Sequence, residues 1–256
     1  MRRHLVIAAL ALGVGGAAHA QEAPNDPFEP FNRAMFSFNG QVDQYALKPV
    51  ALGYRAVTPK FFRTGVSNVL SNLNAPVVFA NDVLQVAPSR AGTTLARFGI
   101  NSTIGVVGIF DVAKGMGLEK HSEDFGQTLG RWGVGAGPYL VLPLLGPSSV
   151  RDGVGGVVDV AFQPLNYAEF DGDDAVRVTR TVLTVVSARE ANIEALDSLA
   201  ATAIDPYVTF RSTYTILRES AVQNGQTDVQ DLPEFEEIPS QPATEPPPEP
   251  SPPQGN

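Results

Sequence analysis

Few residues of this chain are equipped for chemistry, and their spacing argues against most of it. There is no cysteine, and there are three histidines, His4, His19 and His121. Without cysteine there are no disulfides, no thiolate metal sites and no thiol nucleophile. His4 and His19 fall in an N-terminal segment that reads as an export signal, which leaves His121 in the run Glu119-Lys120-His121-Ser122-Glu123-Asp124. A Ser-His-Asp hydrolase would have to use that histidine, and no G-x-S-x-G elbow accompanies it. The run therefore reads as an exposed loop ahead of a helix. Asp152 and Asp159 stand one heptad apart, and Asp171, Asp173 and Asp174 cluster. The alternating acidic pattern and closing glutamate of a calcium loop are missing. The residues predict no catalytic centre, no metal and no cofactor.

What remains is mechanical. In residues 123–152, Phe125, Leu129 and Trp132 recur at helical spacing, followed by Gly133, Gly135 and Gly137 with one residue between each pair. Alternating glycine stops a helix and permits positive φ or a close backbone approach. An apolar segment from Pro138 to Leu145 follows, carrying Tyr139, Leu140, Leu142 and Leu144. Gly146-Pro147 closes it, and Ser148 or Ser149 can cap a new helix. No Gly-Lys-Ser/Thr completes a phosphate loop. The glycines read as a hinge that would swing the apolar segment as a unit, and Gly135→Ala is expected to lock it.

The elements that must position this hinge read as helices. Asp26 as cap, Pro27 and Glu29 announce one. Phe28, Phe31, Met35, Phe38, Val42 and Tyr45 then draw an apolar stripe, widened by Phe36. That stripe fits either packing on a core or lying in a membrane leaflet. Residues 60–87 read as helix broken near Pro76, and Pro88-Ser89 opens another. Ile104 to Phe110 is an apolar run in which Gly105 and Gly108 leave room for close helix approach. Sixteen of the 24 glycines lie between residues 92 and 172. A valine-rich helix follows Ser149. A long helix from Asp173 to about Ala203 has Val178, Val182, Val185, Val186, Ile193, Leu196 and Leu199 as its apolar side and Arg177, Arg180, Arg189, Glu190 and Glu194 as its wet side. Asp205-Pro206 caps a last helix ending near Asn224-Gly225. Apolar runs such as 104–113 and 138–145 are too short to cross a bilayer as helices; either could enter one leaflet or line a core.

Residues 1–20 carry Arg2-Arg3, an apolar stretch from Leu5 to Val14 and the small-x-small site Ala18-His19-Ala20, so they read as a cleavable signal peptide. The formal net charge is −9; residues 224–256 hold seven acids, nine prolines and no Lys or Arg. That tail reads as disordered. Residues 21–223 form the folded part, and with no basic cluster they make a poor nucleic-acid binder. The expected fold is all-α, one domain of amphipathic helices.

Several separate segments resemble the MlaA family, also called VacJ, of Gram-negative outer membranes. They are DPFEPFNRAMFSFN (26–39), SNVLSNLNAPVVFANDVLQ (67–85), RFGINSTIGVVGIFDVA (97–113), the glycine segment of 123–152 and DPYVTFRSTY (205–214). The resemblance implies a ring of helices in the inner leaflet of the outer membrane, at its periplasmic face. It implies a non-enzymatic role: misplaced phospholipid is taken from the outer leaflet and handed to a soluble periplasmic carrier, preserving lipid asymmetry. The implied partners are membrane phospholipids, an outer-membrane porin trimer and that carrier. Gly133, Gly135, Gly137, Tyr139, Leu140, Leu142 and Leu144 would then form the lipid passage and its hinge, and Phe28, Phe31, Met35, Phe36 and Phe38 the membrane-facing helix. Proteins of this family are typically acylated on a cysteine, where this sequence has Ala20-Gln21, so attachment without an acyl chain is expected. A porin-bound scaffold and a phospholipid-degrading enzyme are the alternatives.

Overall fold

Helical periodicity governs the residues that the computed structural model describes, 26–224. The signal segment and nearly all of the acidic tail lie outside them. The order is α1 (Glu29–Val42), a π-helical turn (Asp43–Leu47), α2 (Lys48–Val57), α3 (Lys60–Leu84), α4 (Pro88–Thr103), α5 (Val112–Gly115), α6 (Phe125–Arg131), β1 (Tyr139–Leu142), β2 (Gly146–Ser149), α7 (Val150–Ala161), a 3-10 turn (Pro164–Asn166), α8 (Asp173–Ala191), α9 (Ile193–Thr202) and α10 (Pro206–Val222). The helical expectation holds, with one addition. The apolar segment after the glycines is an antiparallel hairpin in which Tyr139 faces Ser149 and Leu142 faces Gly146.

Local breakers act differently from their sequence reading. Pro76 does not break α3, which runs through it for 25 residues. An interior proline costs about 3 kcal/mol, and packing of α3 against α4 and α8 outweighs it. Pro49 instead leaves a trace just upstream. It cannot donate to the carbonyl four residues back and crowds it, and the widened π turn over 43–47 stands there. The long helix expected from Asp173 is two, broken at Asn192 (φ −117°, ψ 15°). The break lets Arg189 reach Asp197 at 2.8 Å; in one straight helix those residues would lie about 12 Å apart along the axis.

Polar and apolar faces are partly exchanged. On α8 the expected wet residue Arg189 is 6% exposed, bonded to Asp43 at 2.7 and 2.9 Å. Arg55 and Arg63 converge on Glu190 at 2.8 and 3.2 Å. The valines expected inside point outward: Val178 is 62% and Val182 53% exposed. Val186 and Ile193 are buried as expected. The apolar run 104–110 is a series of turns with Val106 and Val107 at positive φ, and most of its side chains are exposed. Gly108 does give close approach, since a Cβ there would sit 2.6 Å from Asn72 Cβ on α3. Among the described residues no helix is long and apolar enough to cross a membrane.

His121 is not a solvated loop residue. Its Nε2 lies 2.9 and 3.0 Å from the Asp82 carboxylate and 3.1 Å from Thr94 Oγ1. Arg90 and Gln85 reach the buried Glu123 beside it. This knot fastens the segment before α6 to α3 and α4, and it uses groups that sequence reading assigned to water.

Candidate functional site

The glycine segment begins as a helix terminator. Gly133 has φ +88°, Val134 N–H donates to Leu129 O at 2.9 Å and Gly133 N–H to Gly130 O at 2.9 Å. That is a Schellman ending for α6, with glycine where the left-handed residue must stand. Gly137 is also left-handed, at φ +70°. On either side of it, Ala136 O accepts from Arg151 N–H at 3.1 Å and Pro138 O from Val150 N–H at 3.2 Å. The segment is thus tied to the start of α7, which Ser149 caps as expected. Gly135 lies between, without positive φ and with open space where a Cβ would go. The expectation that Gly135→Ala would lock the bend therefore moves to Gly133 and Gly137.

The hairpin sorts the passage candidates by alternation. Tyr139 and Val141 are buried with Tyr207, while Leu140 and Leu142 take the other, half-exposed face. Leu144 sits at the turn, 69% exposed and left-handed (φ +64°). Met35 and Phe36 of α1 pack on this core, and Phe36 meets the Tyr207 and Phe210 rings edge-on. The expected membrane-facing stripe is thereby divided. Phe28, Phe31 and Phe38 are 47%, 52% and 45% exposed; Met35 and Phe36 turn inward because α1 has a partner on that side.

Sequence reading missed what holds the hairpin. The free edge of β1 is completed by two asparagines of α1. Asn32, fully buried, donates from Nδ2 to Tyr139 O at 3.0 Å and accepts from Val141 N–H at 2.9 Å. Asn39 donates to Leu142 O at 2.9 Å and accepts from Leu144 N–H at 2.7 Å. A carboxamide has the donor and acceptor of a peptide group, so α1 serves as a third strand. The spacing fits: seven helical residues rise about 10.5 Å and three strand residues about 10 Å. Two asparagines a heptad apart on an apolar helix were the available signal. Asp26, expected as a helix cap, makes no cap. Its carboxylate takes bonds from Asn32 at 2.7 Å, from Arg211 at 2.8 Å and from Tyr207. Burial works to raise it, but those three donors hold it below the usual carboxylate range.

A second carboxylate knot faces the glycine segment. Asp152 accepts from Arg218 at 2.9 Å, from Arg151 at 2.9 Å and from Tyr214. Burial pushes it up, and those donors outweigh burial and bring it down to about 2. Arg218 also grips Asp124, the cap of α6, with two bonds of 2.6 Å. Gly155 and Gly126 let α7 and α6 touch, since a Cβ on Gly155 would lie 2.3 Å from Gly126 N. Between the glycine segment, β1 and α10 is a cavity of about 400 Å³. No three acidic or histidine side chains among the described residues could hold a metal ion.

A profile of the MlaA lipoprotein family matches residues 24–221. The chain is 34% identical over 245 residues to the intermembrane phospholipid transport system lipoprotein MlaA of Escherichia coli K12, covering 91% of this chain and 95% of that one. It is 33% identical over 237 residues to the Haemophilus influenzae protein of the same description, with coverage of 88% and 93%. An uncharacterized protein of Rickettsia typhi is 35% identical over 199 residues, 77% of this chain and 78% of the other. A solved chain from work on the structural basis for maintenance of bacterial outer membrane lipid asymmetry superposes with a TM-score of 0.68 at 34% identity, covering 77% of this chain and 98% of that one. With a family profile spanning the described fold and relatives aligned over most of their length, this chain belongs to the MlaA lipoprotein family.

Proposed function

We propose that this protein is a non-enzymatic phospholipid transport component at the periplasmic face of the outer membrane. Its helices lie in the inner leaflet as a ring around an amphipathic passage. Phospholipid misplaced in the outer leaflet passes through it to a soluble periplasmic carrier, and an outer-membrane porin trimer is its partner there. The relatives named for intermembrane phospholipid transport support the lipid class.

One observation carries the membrane part of this reading: several charged side chains are buried with partners while many large apolar side chains are exposed. Arg189, Arg211, Asp26 and Asp82 are buried with partners, while Phe31, Val57, Phe61, Ile104 and Val178 are each more than half exposed. In water such a surface would be an aggregation hazard; in a leaflet it is the favourable face. Helices too polar to span still lie within one leaflet. The chain has no cysteine to carry an acyl group, so the exposed aromatic side of α1 takes over attachment.

Reconstitution tests this. The protein is placed in vesicles carrying a fluorescent phospholipid and mixed with a soluble lipid-binding carrier. Transfer that depends on the folded protein is the expected result. Release of free fatty acid would make it an enzyme, and membrane binding without transfer would make it a scaffold.

A further inference from the structure

The apolar run Ile104–Phe110, which connects α4 to α5, breaks a backbone preference twice. Val106 and Val107 stand side by side in the left-handed region, at φ +52° and +57°. A side chain branched at Cβ is the least suited to that conformation, where glycine, asparagine or aspartate is the usual occupant. Packing within the fold does not account for the choice, because both valines are more than half exposed, as are Ile104 and Phe110. Backbone strain held against preference marks a place where function sets the residue type; here what is kept is an exposed apolar side chain.

The strained path also closes the backbone. Every N–H from Gly105 to Phe110 donates to a carbonyl of the loop or of the end of α4, over 2.7–3.3 Å. Asn68 of α3 donates to Ile109 O at 3.0 Å. Gly105 makes so tight a path possible, since a Cβ there would lie 2.4 Å from Phe110 O. No charged residue lies between Arg97 and Asp111, and those two pair with each other at 2.9 Å. In water such closure is unnecessary, because solvent satisfies an exposed N–H. A protein partner can bring acceptors of its own. A hydrocarbon layer cannot, and a segment entering one must satisfy its donors beforehand.

We propose that residues 104–110 are a wedge that inserts into the hydrocarbon of one lipid leaflet, with Val106 and Val107 at its turn. The inference rests on the membrane part of the transport reading. It adds to the contact made by α1 a second one, fixed in place by α3 and α4. The two act together, so loss of either weakens attachment.

The full chain has no cysteine, so Val107→Cys carries an environment-sensitive fluorophore at one place. On phosphatidylcholine vesicles its emission is expected to shift to the blue and to be quenched by spin-labelled acyl chains. The same label at Asp174→Cys, where the side chain is 93% exposed, should stay as in water. Val106→Asn with Val107→Asn suits the left-handed backbone, so this variant should melt no lower than wild type while its vesicle affinity falls about tenfold. Unchanged affinity, or a melting temperature several degrees lower, would overturn the wedge. A label at 107 that stays in water on vesicle-bound protein would overturn it as well, leaving the membrane reading intact. A label polar in pure lipid yet shielded in native outer membranes would assign the loop to a protein partner instead. Folded protein that binds no vesicles would discard both the wedge and the membrane part of the transport reading.

Discussion

Replacing Asn32 by alanine should loosen the hairpin from α1 far more than replacing Asn39 does. Asn32 is fully buried and makes three bonds, to Tyr139 O, from Val141 N–H and to Asp26 Oδ1. Truncation leaves two backbone groups and one carboxylate oxygen without that partner. Each buried group so stranded costs about 1–3 kcal/mol, and neighbouring losses overlap, so the expected destabilisation is about 3–5 kcal/mol. For a domain of this size that corresponds to roughly a 10 °C fall in melting temperature. Asn39 holds an exposed stretch of the same edge, where water replaces the lost amide, so Asn39→Ala should cost about 1 kcal/mol or less. Urea unfolding by circular dichroism gives the free energies, and hydrogen exchange at Val141 and Leu144 reports each end of the edge. A loss below about 1 kcal/mol for Asn32→Ala, or unchanged exchange at Val141, would refute the third-strand account.

The remaining predictions concern charge, backbone and membrane. Asp152 has its carboxyl held down to about 2, so its contribution, about 2 kcal/mol, is fully present above about pH 4 and disappears as the pH falls toward 2; Asp152→Asn should flatten the acid side of the stability profile, measured by unfolding between pH 2 and 6. Gly137→Ala, at φ +70°, should cost about 1–2 kcal/mol, whereas Gly135→Ala should be neutral or slightly stabilising, and a larger effect at Gly135 in thermal melts would restore it as the bend. Phe31→Ser with Phe38→Ser should release folded protein from membranes, each exposed ring contributing up to about 2 kcal/mol of partitioning, while Phe36→Ser should unfold it instead; fractionation with circular dichroism distinguishes the two.

Helical content, the capped starts at Ser149 and Asp205, and the stop at the glycines were legible in the sequence because they depend on spacing within a turn or two. Family membership was legible too, from several motifs in order. The hairpin was not: Tyr-Leu-Val-Leu is apolar throughout, and alternation becomes visible only when Tyr207 covers one face. Pro76 misled because a local cost of about 3 kcal/mol is small beside packing from two helices. The reversal of α8, with Arg189 inside and Val178 and Val182 outside, lay beyond sequence reading because periodicity finds two faces without saying which meets protein. That choice was made by Asp43 and Asp197, whose carboxylates exist as partners only once α8, α9 and the π-helical turn after α1 have come together. The same holds for Asn32, Asn39 and Asp26. Residue types marked them as polar on or just ahead of an apolar helix, and only the tertiary structure supplied the strand edge, the tyrosine and the arginine that give those polar groups something to hold.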